Sequence, residues 1–262
     1  MAIVNLTPDS FYAASRHTDE QQVAQRVAQA VAEGASIIDI GGYSSRPGAA
    51  DVPLEEEWRR VELGLRVVRE VSADVAISID TFRSEVAERA LAYDGGVMIN
   101  DITGGDADPR IVDVVAEAGA AFVAMHMRGT PATMQSLTDY EDVVPDVVEA
   151  LRVKAEMLLD RGISPERLIL DPGFGFAKSV EQNFRLLAHL KRVCELGFPV
   201  LSGVSRKSMI YRTLDITSEE SLNGTTALNW ESLRQGATIL RVHDVREAVQ
   251  TVRLFNMFEQ NR

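Results

Sequence analysis

The sequence has one cysteine, two tryptophans and few aromatic residues in its 262 positions. A single thiol excludes an intramolecular disulfide framework and fits a reducing compartment, so the expected location is cytoplasmic. Positive charge is also short: 27 Lys and Arg stand against 39 Asp and Glu, a formal net charge of -12. Such a balance argues against a nucleic-acid footprint or attachment to an anionic membrane surface. No apolar run reaches the length of a bilayer span, and the first residues lack a charged region followed by a hydrophobic signal. Low-complexity segments and linkers are missing, and no dinucleotide fingerprint follows the first apolar run. The expected partners are therefore small molecules, with no nucleic acid and no membrane.

What is present is a full core: 45% apolar and 25% charged residues, as in an average globular protein. The length is close to the roughly 250 residues of a (β/α)8 barrel, so one domain over residues 1–262 is expected. Short Val-, Ile- and Leu-rich runs recur along it: "AIVNL", "SIIDI", "VAISID", "GVMIN", "AAFVAMH", "RLILD", "PVLSG" and "TILRV". They lack polar alternation and read as parallel strands buried on both faces. Between them lie amphipathic stretches. In "DEQQVAQRVAQAVAEGA" the residues Val23, Val27, Ala30 and Val31 follow helical spacing, and Gly34 closes the segment. Similar stretches cover 54–71, 83–93, 109–118, 141–161, 179–195, 218–235 and 244–259. Eight strand and helix pairs predict the α/β class and a single TIM barrel.

Chemistry in such a barrel sits where strands end and βα loops begin. The strand ends here are Asn5, Asp39, Asp80, Asn100, His126, Asp171, Ser205, and Arg241 with His243, all polar. One Asp in such a place is more often a cap or a loop bridge. A complete set of eight points to a site. Asp80 and Asp171 follow "ISI" and "LIL", where a poorly solvated carboxylate seeks a donor-rich partner. A flat heterocycle with adjacent N–H and amino donors meets that need by two-point geometry. Asn100 can add a donor and an acceptor to the same ring. Lys207, Arg241 and His243 are expected to gather positive charge for phosphate or carboxylate, with an ion pair to Asp244 as the structural alternative for Arg241. Phe11, Phe174 and Phe176 are loop aromatics that either pack under their own loops or stack on a planar ring.

The strings "IVNLTPDSF", "DIGGYSSRPGA", "SIDTFRSEVA", "INDITGG", "MHMRGTP", "LDPGFGF", "GVSRKS" and "RVHDVRE" together resemble the dihydropteroate synthase family, in its order and spacing, from residue 3 to residue 247. The resemblance implies condensation of p-aminobenzoate with 6-hydroxymethyl-7,8-dihydropterin diphosphate, with Mg2+, in a homodimer. It implies pterin contacts at Asp80, Asn100, Met125, Asp171, Gly203 and Lys207. The diphosphate falls to Asn5, Arg46, Arg241 and His243, with Asn5 also the metal contact. The p-aminobenzoate falls to Phe11, Ser45, Arg46, Pro47, Phe176 and Ser208. Asp80, Lys207, Arg241 and His243 are the implied catalytic group. Two other readings remain beside it: a pterin-binding methyltransferase module, and a barrel that binds pterin without catalysis. The "SSRPGA" and "SRKS" loops disfavour the first, because a methyl carrier has no use for a diphosphate grip.

Overall fold

The computed structural model describes residues 1–6, 16–43 and 51–262, with the backbone alone for 16–19. Eight parallel strands form its centre: β1 (Ala2–Asn5), β2 (Ile37–Gly41), β3 (Ala76–Asp80), β4 (Met98–Asp101), β5 (Phe122–Met125), β6 (Leu168–Asp171), β7 (Leu201–Ser202) and β8 (Ile239–Leu240). β1 to β6 make one six-stranded sheet in chain order, and β7 and β8 pair with each other. Single bridges, Leu170 to Val200 and Ala2 to Val242, join the two pieces. The Ile3 amide donates to the Val242 carbonyl at 3.0 Å, so the cylinder closes. This is a (β/α)8 barrel.

The outer ring comprises α1 (Arg16–Ala32), α2 (Leu54–Val71), α3 (Ser84–Tyr93), α4 (Arg110–Ala118), α5 (Val143–Asp160), α6 (Val180–Ala188), α7 (Lys191–Cys194), α8 (Ser208–Leu214), α9 (Leu222–Arg234) and α10 (Val245–Gln260). The helix expected over 179–195 is thus two, α6 and α7. Ser179 and Gln182 form a capping box at the start of α6, which sets where the preceding loop must end. β8 is shorter than its apolar run, because Arg241 lies past the last paired residue and Val242 makes only the closing bridge.

The strands are buried on both faces, as expected, and the two faces differ in what covers them. Ile38, Ile40, Ile77, Ile79, Ile99, Phe122, Leu168 and Leu170 join the core shared with the helices. The alternate positions face the barrel axis. There Val123, Ile169 and Leu201 form a small separate cluster with Met1, Met98 and Ile239 that plugs one level of the barrel. One step further along the strands the inward residues are mostly polar, Met125 and Gly203 being exceptions. An apolar plug below and polar side chains above place the site at the carboxyl ends of the strands.

Candidate active site

Register sets the inward groups in two neighbouring rows, because Asn100 pairs with Val123 and Met125 stands one pleat beyond it. Asp80 of β3 pairs with Asn100 of β4, and Met125 of β5 with Asp171 of β6. Asp39 sits one pleat lower on β2, fully buried, and its oxygens lie 3.3 and 3.4 Å from the Asn100 amide nitrogen that donates to them. Arg241, just past β8, reaches across to both carboxylates. Its Nε donates to Asp39 Oδ2 at 2.7 Å and its Nη2 to Asp80 Oδ2 at 2.6 Å. The expected alternative partner, Asp244, is instead held by the Arg206 fork at 2.6 and 2.9 Å. Arg206 is therefore an element of structure, while Arg241 is a cation at the barrel mouth. Its Nη1 makes no hydrogen bond among the described residues.

Burial shapes the charges. Desolvation raises the Asp80 carboxyl, with Arg241 opposing and Asp39 adding to the rise. Asp171 is also raised by burial, against the pull of Lys207 and the Gly173 amide, which donates to Asp171 Oδ1 at 2.7 Å. Desolvation lowers Lys207 to about 8, with Asp171 working the other way. The Lys207 ammonium donates to the Phe174 carbonyl and lies 4.7 Å from the centre of the Phe176 ring, a cation–π contact. Gly203 lies between the two cations: a methyl there would be in ordinary contact with Lys207 Nζ at 3.8 Å and Arg241 Cβ at 4.0 Å.

His243 departs from expectation in its charge. Burial first, and Arg241 second, push its imidazole down to about 4, so the ring is neutral near pH 7. The Ser205 hydroxyl accepts from the His243 amide at 3.1 Å and lies 3.0 Å from Nδ1. A hydroxyl donating to Nδ1 leaves the ring proton on Nε2. The imidazole is then a directed hydrogen-bond donor and not a cation.

Of the residues expected from sequence, Asp80, Asn100, Met125, Asp171, Gly203, Lys207 and Arg241 meet around one mouth. Asn5 joins them at the end of β1: a methyl on Gly41 would sit 3.3 Å from Asn5 Oδ1 and 3.6 Å from Asp80 Cβ. Phe176 lies beside Lys207, and Ser208 begins α8 directly after it. Phe174 is fully buried under its own loop and belongs to the core. Phe11, Ser45, Arg46 and Pro47 lie outside the described residues. Two residues were passed over. Asp39 was visible as a polar interruption in "SIIDI" but carried no assigned role. Lys178, 5% exposed beneath the loop after β6, had only its place in "GFGFAKS" to mark it.

Fold and site define a class: a parallel barrel whose mouth presents buried carboxylates, an amide and two cations to a flat polar ligand. Residues 1–243 match the family of pterin binding enzymes. A dihydropteroate synthase from Synechocystis sp. is 43% identical over 251 residues, 95% of this chain and 86% of that one. A structure of Xanthomonas albilineans dihydropteroate synthase with 4-aminobenzoic acid superposes with a TM-score of 0.91 at 40% identity, covering 99% of this chain and 92% of that one. Another from the same organism, in complex with 7,8-dihydropteroate, has a TM-score of 0.88 at 37% identity, with coverage of 99% and 92%. The chain belongs to the dihydropteroate synthase family.

Proposed function

We propose that this chain condenses p-aminobenzoate with 6-hydroxymethyl-7,8-dihydropterin diphosphate, releasing 7,8-dihydropteroate and pyrophosphate. The observation that carries this reading is the cross-barrel set Asp39, Asn100, Asp80, Arg241, Asp171 and Lys207. It offers acceptors for a guanidine-like edge beside a cation for a leaving group. Asp80, Asn100, Asp171 and Lys207 hold the pterin, with Met125 and Gly203 bounding its ring. Arg241 and the His243 Nε2–H take the diphosphate together with Asn5 and Arg46. Phe11, Ser45, Arg46, Pro47, Phe176 and Ser208 hold p-aminobenzoate.

The reaction needs no protein nucleophile. The bond between the pterin methylene carbon and the diphosphate oxygen breaks, and the electron pair leaves with pyrophosphate, whose charge Arg241 and His243 stabilise. The electron-rich dihydropterin carries the resulting cation, and ionised Asp80 faces it. The neutral aniline nitrogen then attacks that carbon and loses its proton after the new bond forms. Lys207 and Phe176 orient the two reactants side by side, which lowers the entropic part of the barrier.

Mg2+ fits the donors present. Among the described residues no group of three His, Cys, Asp or Glu could hold a metal. Mg2+ commonly takes one or two protein oxygens and fills its shell with water and substrate phosphate. Asn5 Oδ1 at the mouth is such an oxygen. When bound, the ion neutralises charge on the diphosphate.

A cytoplasmic enzyme and a homodimer complete the reading. No helix among the described residues is long and apolar enough to cross a membrane. On α10, Leu254, Met257 and Phe258 are 66%, 61% and 56% exposed, an apolar stripe suited to a second copy of the chain. Sedimentation at dilute and concentrated protein tests the dimer.

The decisive experiment is pyrophosphate release from the pterin diphosphate and Mg2+, with and without p-aminobenzoate. Release that rises with p-aminobenzoate, with dihydropteroate appearing, is expected. Pterin binding without release would return the weight to a binding barrel.

A further inference from the structure

Lysine is seldom buried without partners, and Lys178 is 5% exposed. Its Nζ donates to the Gly173 carbonyl at 3.0 Å and to the Phe176 carbonyl at 3.0 Å, and lies 3.1 Å from His126 Nδ1. Three ammonium protons thus meet three acceptors. The imidazole can accept because burial, then Lys178 and Arg128, push His126 down to about 3, which keeps it neutral. Desolvation lowers Lys178 itself to about 7, with Asp171 opposing.

The loop between β6 and α6 is wrapped around that ammonium. Gly173 has φ +70 and Ala177 φ +49, turns that aim the carbonyls of the loop inward. Asn183 completes the wrap from α6: its Oδ1 accepts from the Gly175 amide at 2.6 Å, and its Nδ2 donates to the Lys178 and Ser179 carbonyls at 3.2 and 2.7 Å. The other side of the loop faces the site. It presents the Gly173 amide to Asp171, the Phe174 carbonyl to the Lys207 ammonium, and the Phe176 ring beneath that ammonium. One peptide segment therefore binds Lys178 on its inner side and sets Asp171 and Lys207 on its outer side.

We infer that Lys178 is a positioning residue: its ammonium serves as a built-in cation around which the 172–177 loop is shaped, so that Asp171, Lys207 and Phe176 meet both substrates in register. This rests on the proposed reaction for what the substrates are. Lys178 touches neither of them. With the ammonium gone, the Gly173 and Phe176 carbonyls lose their common partner, and the outer contacts loosen with them.

The test compares wild type, Lys178→Met and Lys178→Ala in pyrophosphate release, with methylammonium chloride added to each. Lys178→Met should raise the KM for both substrates by on the order of tenfold, less than the roughly 10²-fold that a full ångström of misplacement can cost. Lys178→Ala should recover several-fold with methylammonium, which refills the cage, while wild type does not respond. A folded Lys178→Met with wild-type KM values, or a Lys178→Ala variant indifferent to methylammonium, would overturn the inference. If Lys178→Met does not fold, His126→Phe removes one acceptor and should raise the same KM values, and unchanged values would count against the role. Quenching of pterin fluorescence separates the two readings. A wild type that releases no pyrophosphate refutes the reaction alone, whereas equal pterin affinity in wild type and Lys178→Met refutes the positioning role whatever the reaction is.

Discussion

Arg241 and Asp80 are joined across the barrel mouth, with Nη2 donating to Oδ2 at 2.6 Å. The same guanidinium holds Asp39, so one cation from the end of the chain neutralises two carboxylates from its first third. This keeps two buried acids from repelling each other, and Nη1 makes no hydrogen bond among the described residues. The proposed leaving-group role and this structural role therefore sit on one side chain.

Arg241→Ala should consequently fail in two ways. Turnover should fall on the order of 10²-fold or more, as when a transition-state donor is removed, and by a larger factor than pterin affinity. Stability should also drop by about 3–5 kcal/mol, because Asp39 and Asp80 lose their partner. Steady-state kinetics and urea unfolding measure the two losses. Unchanged turnover with weakened binding alone would remove the leaving-group assignment.

Asp80→Asn keeps the shape of the side chain and removes its charge. Pterin affinity and turnover should both collapse, since the carboxylate serves the ring edge and the developing cation alike. Calorimetric titration with a pterin, followed by single-turnover chemistry, separates the effects. Near-normal turnover would refute the electrostatic role.

Acid should destabilise the fold through its buried imidazoles. His126 is held down to about 3 and His243 to about 4, against an ordinary value of 6.5. A base with a depressed folded pKa contributes stability that is present above the unfolded value and lost as pH falls toward the folded one. The window for His243 is therefore pH 6.5 down to about 4. Inside it, the partly buried imidazole costs at most about 1.4 kcal/mol per pH unit. Urea midpoints at several pH values should drop less steeply for His243→Asn than for wild type, and parallel slopes would refute the assignment.

Two glycines with left-handed backbone should respond very differently to alanine. Gly119 ends α4 at φ +61 with nothing within 4 Å of a built Cβ, so the backbone penalty of about 1–2 kcal/mol is the whole cost. Gly173 sits at φ +70, and its Cβ would fall 2.0 Å from the His126 carbonyl oxygen. Gly173→Ala should therefore break the Lys178 loop and abolish activity, while Gly119→Ala remains active and only modestly less stable. Thermal melts and product assays on the two variants decide this.

The residue pattern by itself determined the fold class and where to look. β-branched runs such as "IIDI" and "LILD" spaced by amphipathic stretches specify strands and helices through local sterics and burial. Polar residues near the strand ends mark the site, although Asp39 lies inside β2 and Ser205 three residues past β7, and the loop strings carry the family. What it left undecided is everything set by long-range approach. Asp244 is the carboxylate nearest Arg241 in the chain, yet barrel closure gives Arg241 to Asp39 and Asp80, 202 and 161 residues away, and gives Asp244 to Arg206. His243 reads as a cation by type, but enclosure beside Arg241 makes it neutral. Lys178 reads as a surface lysine, and only the folding of one loop back over His126 turns it into a caged ammonium. Local propensity and periodicity act over a few residues and are written in the chain. Desolvation and charge pairing act through distances that exist only once the barrel has closed.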